Sequence, residues 1–103
     1  MTVTGCVKDK TLYINLSGEM DEYSASDART KCDRLIEENS TSRKIIINLS
    51  EVAFMDSTGI GFLIGRYKKA NKLSVPLFVE KPTFSADKIL NLSGIYTLIP
   101  KAE

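Results

Sequence analysis

A strand, a helix and a second strand follow one another without a break in the middle of this 103-residue chain. Residues 44–49 (KIIINL) are an almost continuous β-branched run, which is typical of a strand covered on both faces. Residues 57–73 are predicted to form a helix, and the apolar residues 75–79 a further strand. Because strand–helix–strand units cross over right-handed into a parallel sheet, this segment restricts the chain to an α/β fold.

The segments before this unit predict a hairpin and a helix. Residues 3–8 and the alternating residues 12–16 (LYINL) have the pattern of two strands, and the short turn between them predicts an antiparallel pair. Apolar residues between Ala25 and Ile36 recur at the spacing of an amphipathic helix. The chain therefore begins with the order β-β-α.

The segments after residue 49 complete one domain over residues 1–103. Residues 50–56 are predicted to be a loop, residues 82–92 a third helix that stops at Gly94, and residues 96–99 a last short strand. The full order is β-β-α-β-α-β-α-β. It predicts a mixed, mostly parallel sheet with the helices mainly on one side.

Composition excludes several classes of function. With 14 basic and 13 acidic residues, the chain lacks the basic excess that favours nucleic acid as a partner. It contains no apolar run near the ~20 residues that span a bilayer and no secretory signal pattern, so we expect a cytoplasmic protein that does not bind membranes. Histidine is absent, which removes the usual nucleophilic triads and most zinc sites. We therefore predict no catalytic residue, no metal ligand and no enzyme activity.

The two cysteines, Cys6 and Cys32, lie far apart and lack metal or redox spacing. In a reducing compartment we interpret both as small packing residues, and a disulfide is the less favoured alternative.

The segment 56–59 (DSTG) is the most informative part of the chain. Asp, Ser and Thr are typical helix caps, and here they precede a helix at the carboxyl end of a buried strand, where α/β sheets bind partners. The residues alone favour capping by Ser57 over its phosphorylation. A phosphate on Ser57 would meet the helix dipole and the free N–H groups of Thr58, Gly59 or Ile60, so the fold would tolerate it. Asp56 beside it would concentrate negative charge at one spot.

Glycines continue along the same helix. Gly61 and Gly65 lie at four-residue spacing from Ser57, so the three positions share one face. Two alternatives stay open: a partner lies along this smooth strip, or the glycines pack onto the domain's own sheet. Basic residues near the helix end are interpreted as a solvated face; these are Arg66, Lys68, Lys69 and Lys72.

Three sequence blocks resemble the bacterial anti-sigma factor antagonists, which are stand-alone STAS domains. The central block is residues 54–61 (FMDSTGIG), followed by residues 65–68 (GRYK). Residues 18–21 (GEMD) resemble the family's Gly-Glu-Leu-Asp, and residues 92–95 (LSGI) its Leu-Ser-Gly-Leu. The blocks occur in the family's order and cover nearly the whole chain.

The resemblance implies a partner-switching cycle. The unphosphorylated protein binds an anti-sigma factor that is also a serine kinase, and phosphorylation of Ser57 ends the binding. A PP2C-type phosphatase restores the first state. Thr58 is a possible secondary acceptor. The residues expected to contact the partner are Asp21, Asp56, Ser57, Thr58, Gly59, Gly61 and Gly65. For Asp21, capping of the first helix is an equal alternative. No cofactor is expected, and the free protein is expected to be a monomer.

Two other functions are alternatives for this sequence. A STAS domain can also be a binding module in a transport or sensory complex, where the serine would be incidental. A nucleotide hydrolase is disfavoured because the chain lacks a Gly-x-x-x-x-Gly-Lys loop. Some family members continue into a further helix, for which residues 100–103 are too short.

Overall fold

A computed structural model describes residues 1–102 of the chain. The predicted terminal segment, residues 100–103, therefore ends one residue outside the described part. The elements are strands β1 (Thr2–Lys8), β2 (Thr11–Met20), β3 (Lys44–Met55) and β4 (Leu77–Glu80), and helices α1 (Glu22–Glu38), α2 (Ser57–Lys72) and α3 (Phe84–Ser93). No helix in this described range has the length and apolar character needed to cross a membrane.

The four strands form one sheet in the order β1-β2-β3-β4. β1 and β2 are antiparallel, whereas β2 pairs with β3 and β3 with β4 in parallel. These pairings confirm the predicted mixed, mostly parallel sheet and its opening hairpin.

The hairpin turn consists of Asp9 and Lys10, which have positive φ angles of 52° and 64°. Two consecutive left-handed residues are the conformation of a two-residue type I′ turn, which glycine adopts more readily than other residues. Removing this strain outweighs the extra chain entropy of glycine. We expect Lys10→Gly to raise the free energy of unfolding by about 0.5–1 kcal/mol. Urea titration measures the change.

The control for this turn is Lys8→Gly, because Lys8 is an exposed residue of β1 with ordinary strand geometry. Glycine there should lower the free energy of unfolding by about 0.5–1 kcal/mol. If Lys10→Gly and Lys8→Gly lower the free energy of unfolding equally, the left-handed conformation of Lys10 does not cost stability.

β3 is longer than the sequence predicts. The loop expected at residues 50–56 is wrong, because the strand continues to Met55, which pairs with Met20 of β2. Two register shifts in the β2–β3 pairing break the alternation that marks a strand. Val52 and Met55 are nevertheless buried, so this irregular half of β3 still contributes to the core.

The core lies on one face of the sheet. Leu12 and Ile14 of β2 and Ile47 of β3 belong to a single buried cluster that includes Cys32 of α1 and Leu63 of α2. This arrangement confirms that the helices lie mainly on one side.

The opposite face of the sheet is largely open, so the predicted cover on both faces of residues 44–49 is wrong. Asn48 is half-buried on this face and its amide donates a hydrogen bond to Glu80 of β4, at 2.9 Å. Ile46 is the exception, with 5% of its surface exposed. The β-branched run therefore did not indicate burial on both faces of β3, since the polar residues Asn48 and Glu80 lie on this open face.

The last predicted strand is shorter and lies later in the chain. Residues Ile95–Thr97 form a 3₁₀ turn after Gly94, which caps α3 with a φ of 75° as predicted. Pairing with β4 is limited to one parallel bridge between Val79 and Lys101. The Lys101 ammonium also lies 2.8 Å from the carboxylate of Asp87 on α3. The predicted order of elements thus holds, with its last strand reduced to this bridge.

Both cysteines are free thiols, so the disulfide alternative is excluded. Cys32 is buried in the core, as predicted, and burial raises the pKa of its thiol to about 12. Cys6 is exposed on the edge strand β1, so its interpretation as a packing residue was wrong.

Candidate functional site

The starts of the three helices meet at the carboxyl end of the parallel strands. The N–H of Asp56, just before α2, donates to the carbonyl of Met20, just before α1, at 3.4 Å. The hydroxyl of Thr83, which caps α3, donates to the carbonyl of Val52 on β3 at 2.9 Å. This is the end of a parallel sheet where α/β proteins bind ligands and partners.

Ser57 is the first residue of α2 and is exposed. The helix is capped by Asp56, whose carboxylate accepts a hydrogen bond from the N–H of Thr58 at 2.8 Å. The interpretation of Ser57 itself as the cap is therefore wrong, whereas capping by Asp56 is confirmed. Within residues 1–102 the Ser57 hydroxyl has no hydrogen-bond partner. An exposed hydroxyl that the fold does not use is available for transfer of a phosphoryl group.

Two of the three N–H groups expected to receive a phosphate, those of Thr58 and Gly59, are already occupied. Asp56 accepts from Thr58 through its carboxylate and from Gly59 through its carbonyl, the latter at 3.0 Å. A phosphate on Ser57 would therefore lie beside the Asp56 carboxylate without free amides of Thr58 or Gly59 to bind. The helix dipole still favours negative charge there, but the added charge stays on the surface.

Asp21 caps α1 in the same way, so the capping alternative for this residue is confirmed. Its carboxylate accepts from the N–H groups of Ser24 and Tyr23, each at 3.0 Å, and the Ser24 side chain completes a capping box. The hydrogen bonds from Ser24, together with that from Tyr23, hold the pKa of Asp21 below its usual value. A role in partner binding stays a prediction, although Asp21 follows Met20 and therefore lies close to Asp56.

The three glycines of α2 have different surroundings. Gly59 is buried, and a Cβ atom there would lie 2.4 Å from Cγ of Met55. At Gly61 and Gly65, by contrast, a Cβ atom would have no neighbour within 4 Å among the described residues. The alternative in which Gly61 and Gly65 press onto the domain's own sheet is therefore wrong, and a partner lying along their face stays a prediction.

Arg66 does not belong to the solvated basic face. It is 4% exposed, and its Nε lies 2.8 Å from Oδ1 of Asp33 on α1. These two atoms form no hydrogen bond with each other, but Nη2 of Arg66 donates to Oδ2 of Asp33 at 3.5 Å. The guanidinium also lies over the Phe62 ring, 5.0 Å from its centre. Because Phe62 and Arg66 are four residues apart, both lie on the buried row of α2.

Three exposed aromatic residues at the same end of the sheet as Ser57 were not identified from the sequence. Tyr23 is the second residue of α1, Phe54 is next to last in β3, and Phe84 is the first residue of α3. All three are exposed at the same end of the sheet. The available signal was their position directly beside a strand end or a helix cap, where the fold does not need an apolar side chain.

Metal ligands are not grouped in the described residues: no three His, Cys, Asp or Glu side chains there could hold one ion.

Comparison with known proteins identifies the family of this chain. The model of the STAS domain family matches residues 5–102. An anti-sigma F factor antagonist of Paenibacillus polymyxa is 30% identical over 89 residues, which cover 86% of this chain and 75% of the relative. An anti-sigma-B factor antagonist of Bacillus subtilis (strain 168) is 31% identical over 91 residues, covering 88% and 81%.

A solved structure shares the fold over nearly the whole chain. The anti-sigma factor antagonist SpoIIAA in its unphosphorylated form superposes with a TM-score of 0.78 at 25% identity, covering 99% of this chain and 89% of SpoIIAA. The Bacillus cell fate determinant SpoIIAA in its phosphorylated form superposes with a TM-score of 0.70 at 25% identity, covering 99% of this chain and 92% of that protein. With a family model that spans residues 5–102, this chain belongs to the STAS domain family.

Proposed function

We propose that this protein is a cytoplasmic anti-sigma factor antagonist that works by partner switching. The unphosphorylated form binds an anti-sigma factor that is also a serine kinase, and the sigma factor is released. The kinase then transfers the γ-phosphoryl group of ATP to Oγ of Ser57: the new O–P bond forms as the bond to ADP breaks, and the hydroxyl proton passes to a base of the kinase. A PP2C-type phosphatase removes the phosphate by hydrolysis.

The observation that carries the proposal is the unused, exposed hydroxyl of Ser57 at the first position of α2. Because Asp56 caps the helix, the fold does not require this hydroxyl. A phosphate there adds about −1.5 to −2 charges at neutral pH without breaking a contact that holds the domain together. The modification therefore changes the surface that a partner sees and leaves the fold intact.

The relatives favour this function over a binding module in a transport or sensory complex. Both curated relatives above are named as antagonists of anti-sigma factors, and their similarity covers most of each chain. The catalytic groups, ATP and its metal ion belong to the kinase in this scheme. The protein itself is a substrate and a binding partner, with no enzyme activity and no cofactor of its own.

The direct test is phosphate mapping. We expect incubation with an anti-sigma factor kinase of the same organism and ATP to give one phosphate per chain, placed on Ser57 by mass spectrometry. Ser57→Ala should abolish labelling, while any residual label on Thr58 in that variant would identify it as the secondary acceptor. Ser85→Ala is the matched control, since Ser85 is an exposed serine in the first turn of α3. Full labelling of Ser57→Ala at a distant residue would refute the proposal.

A further inference from the structure

The exposed aromatic residues of this protein are gathered at the end that carries Ser57. Residues 1–102 contain all eight Tyr and Phe side chains, and only Tyr23, Phe54 and Phe84 have large exposed areas, at 89%, 46% and 87%. We call these three residues the aromatic collar. The other exposed large apolar residues are aliphatic and lie toward the opposite end of the sheet; they are Val7, Leu73, Leu92 and Leu98.

The backbone contacts place the collar residues at the same end of the sheet as the first turn of α2. Tyr23 follows the Met20 carbonyl that accepts from Asp56, the residue before Ser57. Phe54 lies on β3 three residues before Ser57, and Phe84 follows Thr83, whose hydroxyl donates to Val52 of the same strand. The three rings therefore come from three separate elements that are fixed to one another at this end.

The fold does not require an aromatic side chain at Tyr23 or Phe84, which are almost wholly exposed, and at Phe54 a smaller β-former would serve. The first turn of a helix accepts polar residues at least as well as Tyr or Phe, and an exposed strand end needs only a β-former. At protein interfaces, by contrast, aromatic side chains are the usual anchors, because each buries a large apolar area. The collar residues are thus exposed apolar side chains at the same end of the sheet as the exposed Ser57, with Phe54 on the open face of the sheet beside Glu19.

We propose that the aromatic collar anchors the anti-sigma factor kinase through apolar pockets beside its catalytic cleft, and that this apolar anchoring makes phosphorylation a release signal. The inference rests on the proposed function. A phosphate on Ser57 would have to lose water between three apolar anchors, next to the Asp56 carboxylate, and desolvating an unpaired charge is costly. The collar thus converts a surface charge into dissociation without any change in the fold.

Binding of the unphosphorylated protein to the kinase identified by Ser57 labelling tests the collar. We expect Tyr23→Gln, Phe54→Thr and Phe84→Ser each to weaken the affinity about 10- to 30-fold in titration calorimetry. Leu92→Gln is the matched control, because Leu92 is 80% exposed at the far end of α3; its affinity should stay within about twofold of the wild type. Circular dichroism and thermal melting establish that each variant is folded.

Salt dependence separates apolar anchoring from attraction by charge. An affinity that changes by less than about threefold between about 50 and 500 mM NaCl supports the collar, because salt screens charges and not apolar contacts. A loss of more than about tenfold over that range would overturn it.

The outcomes also distinguish the two proposals. If Ser57 is labelled and all three collar variants bind like the wild type, the collar fails and the proposed function stands. If no kinase of the organism binds this protein or labels Ser57, both fail.

Discussion

Ser57→Asp is expected to weaken binding to the anti-sigma factor kinase by about 100-fold or more, whereas Ser57→Ala should bind as tightly as the wild type. The aspartate places a fixed negative charge where the phosphate would be, beside the Asp56 carboxylate that already caps α2. Two like charges that must be desolvated against one partner surface cost several kcal/mol, which corresponds to at least about 100-fold in affinity. Alanine removes the acceptor hydroxyl but adds no charge, so the complex with Ser57→Ala should persist when ATP is added.

Surface plasmon resonance with and without ATP measures both effects. Ser40→Asp is a suitable control, since Ser40 is an exposed residue of the turn after α1, at the opposite end of the sheet. It adds the same charge far from the site and should leave the affinity unchanged. Equal affinity of the wild type, Ser57→Asp and Ser57→Ala would contradict the charge switch, even if phosphate mapping had placed the label on Ser57.

Much of the fold was predictable from local sequence patterns. The alternation in residues 12–16 identified β2, the apolar spacing between Ala25 and Ile36 identified α1, and Gly94 marked the end of α3. Each of these signals arises within a few residues of the chain. The right-handed crossover rule then limited the arrangement of the strands to a mostly parallel sheet.

The predictions that failed depend on contacts between distant segments. The second half of β3 pairs with β2 through register shifts, which remove the period of two on which strand prediction rests. Arg66 was predicted to be a surface cation, because its partner Asp33 lies 33 residues earlier in the sequence and the ion pair forms only in the folded domain. The last strand is only a bridge because Val79 and Lys101 alone come into register.

At the candidate site the sequence led to two incorrect predictions. Ser57 and Asp56 are adjacent, and either can cap a helix, so only the backbone geometry shows that Asp56 is the cap. The same bond occupies the N–H of Thr58, which the sequence analysis had left free for a phosphate. The collar residues escaped notice because exposure of an aromatic side chain depends on the packing of the whole domain.

Substitution of alanine for the glycines of α2 should stabilise the domain at two positions and destabilise it at the third. In a helix interior, alanine is more favourable than glycine by about 1 kcal/mol, so Gly61→Ala and Gly65→Ala should stabilise the domain by up to that amount. Both positions have open space for a methyl group, judged from the described residues. Gly59→Ala should have the opposite effect, because its Cβ atom would lie 2.4 Å from Cγ and 2.6 Å from Sδ of Met55.

The contact at Gly59 cannot be relieved by a simple rotation at the end of a side chain. Met55 is 4% exposed in the core at the end of β3, so Cγ can move only by a change of χ1 in packed surroundings or by a shift of α2 away from the strand. Overpacking of this kind costs about 1–3 kcal/mol, which outweighs the gain in helix propensity. We therefore expect the free energy of unfolding to fall by up to about 2 kcal/mol in Gly59→Ala, with a melting temperature lower by up to roughly 16 °C.

A double-mutant cycle with Met55→Ala identifies the cause of this loss. Met55→Ala alone should destabilise the domain by about 2–5 kcal/mol, since it leaves a cavity in the core. In that background Gly59→Ala should cost little or become stabilising, because the methyl group enters the space that Met55 vacates. If Gly59→Ala lowers stability equally in both backgrounds, Met55 is not the obstacle. Gly59 lies two residues after Ser57, so a shift of the first turn of α2 in Gly59→Ala should also weaken kinase binding.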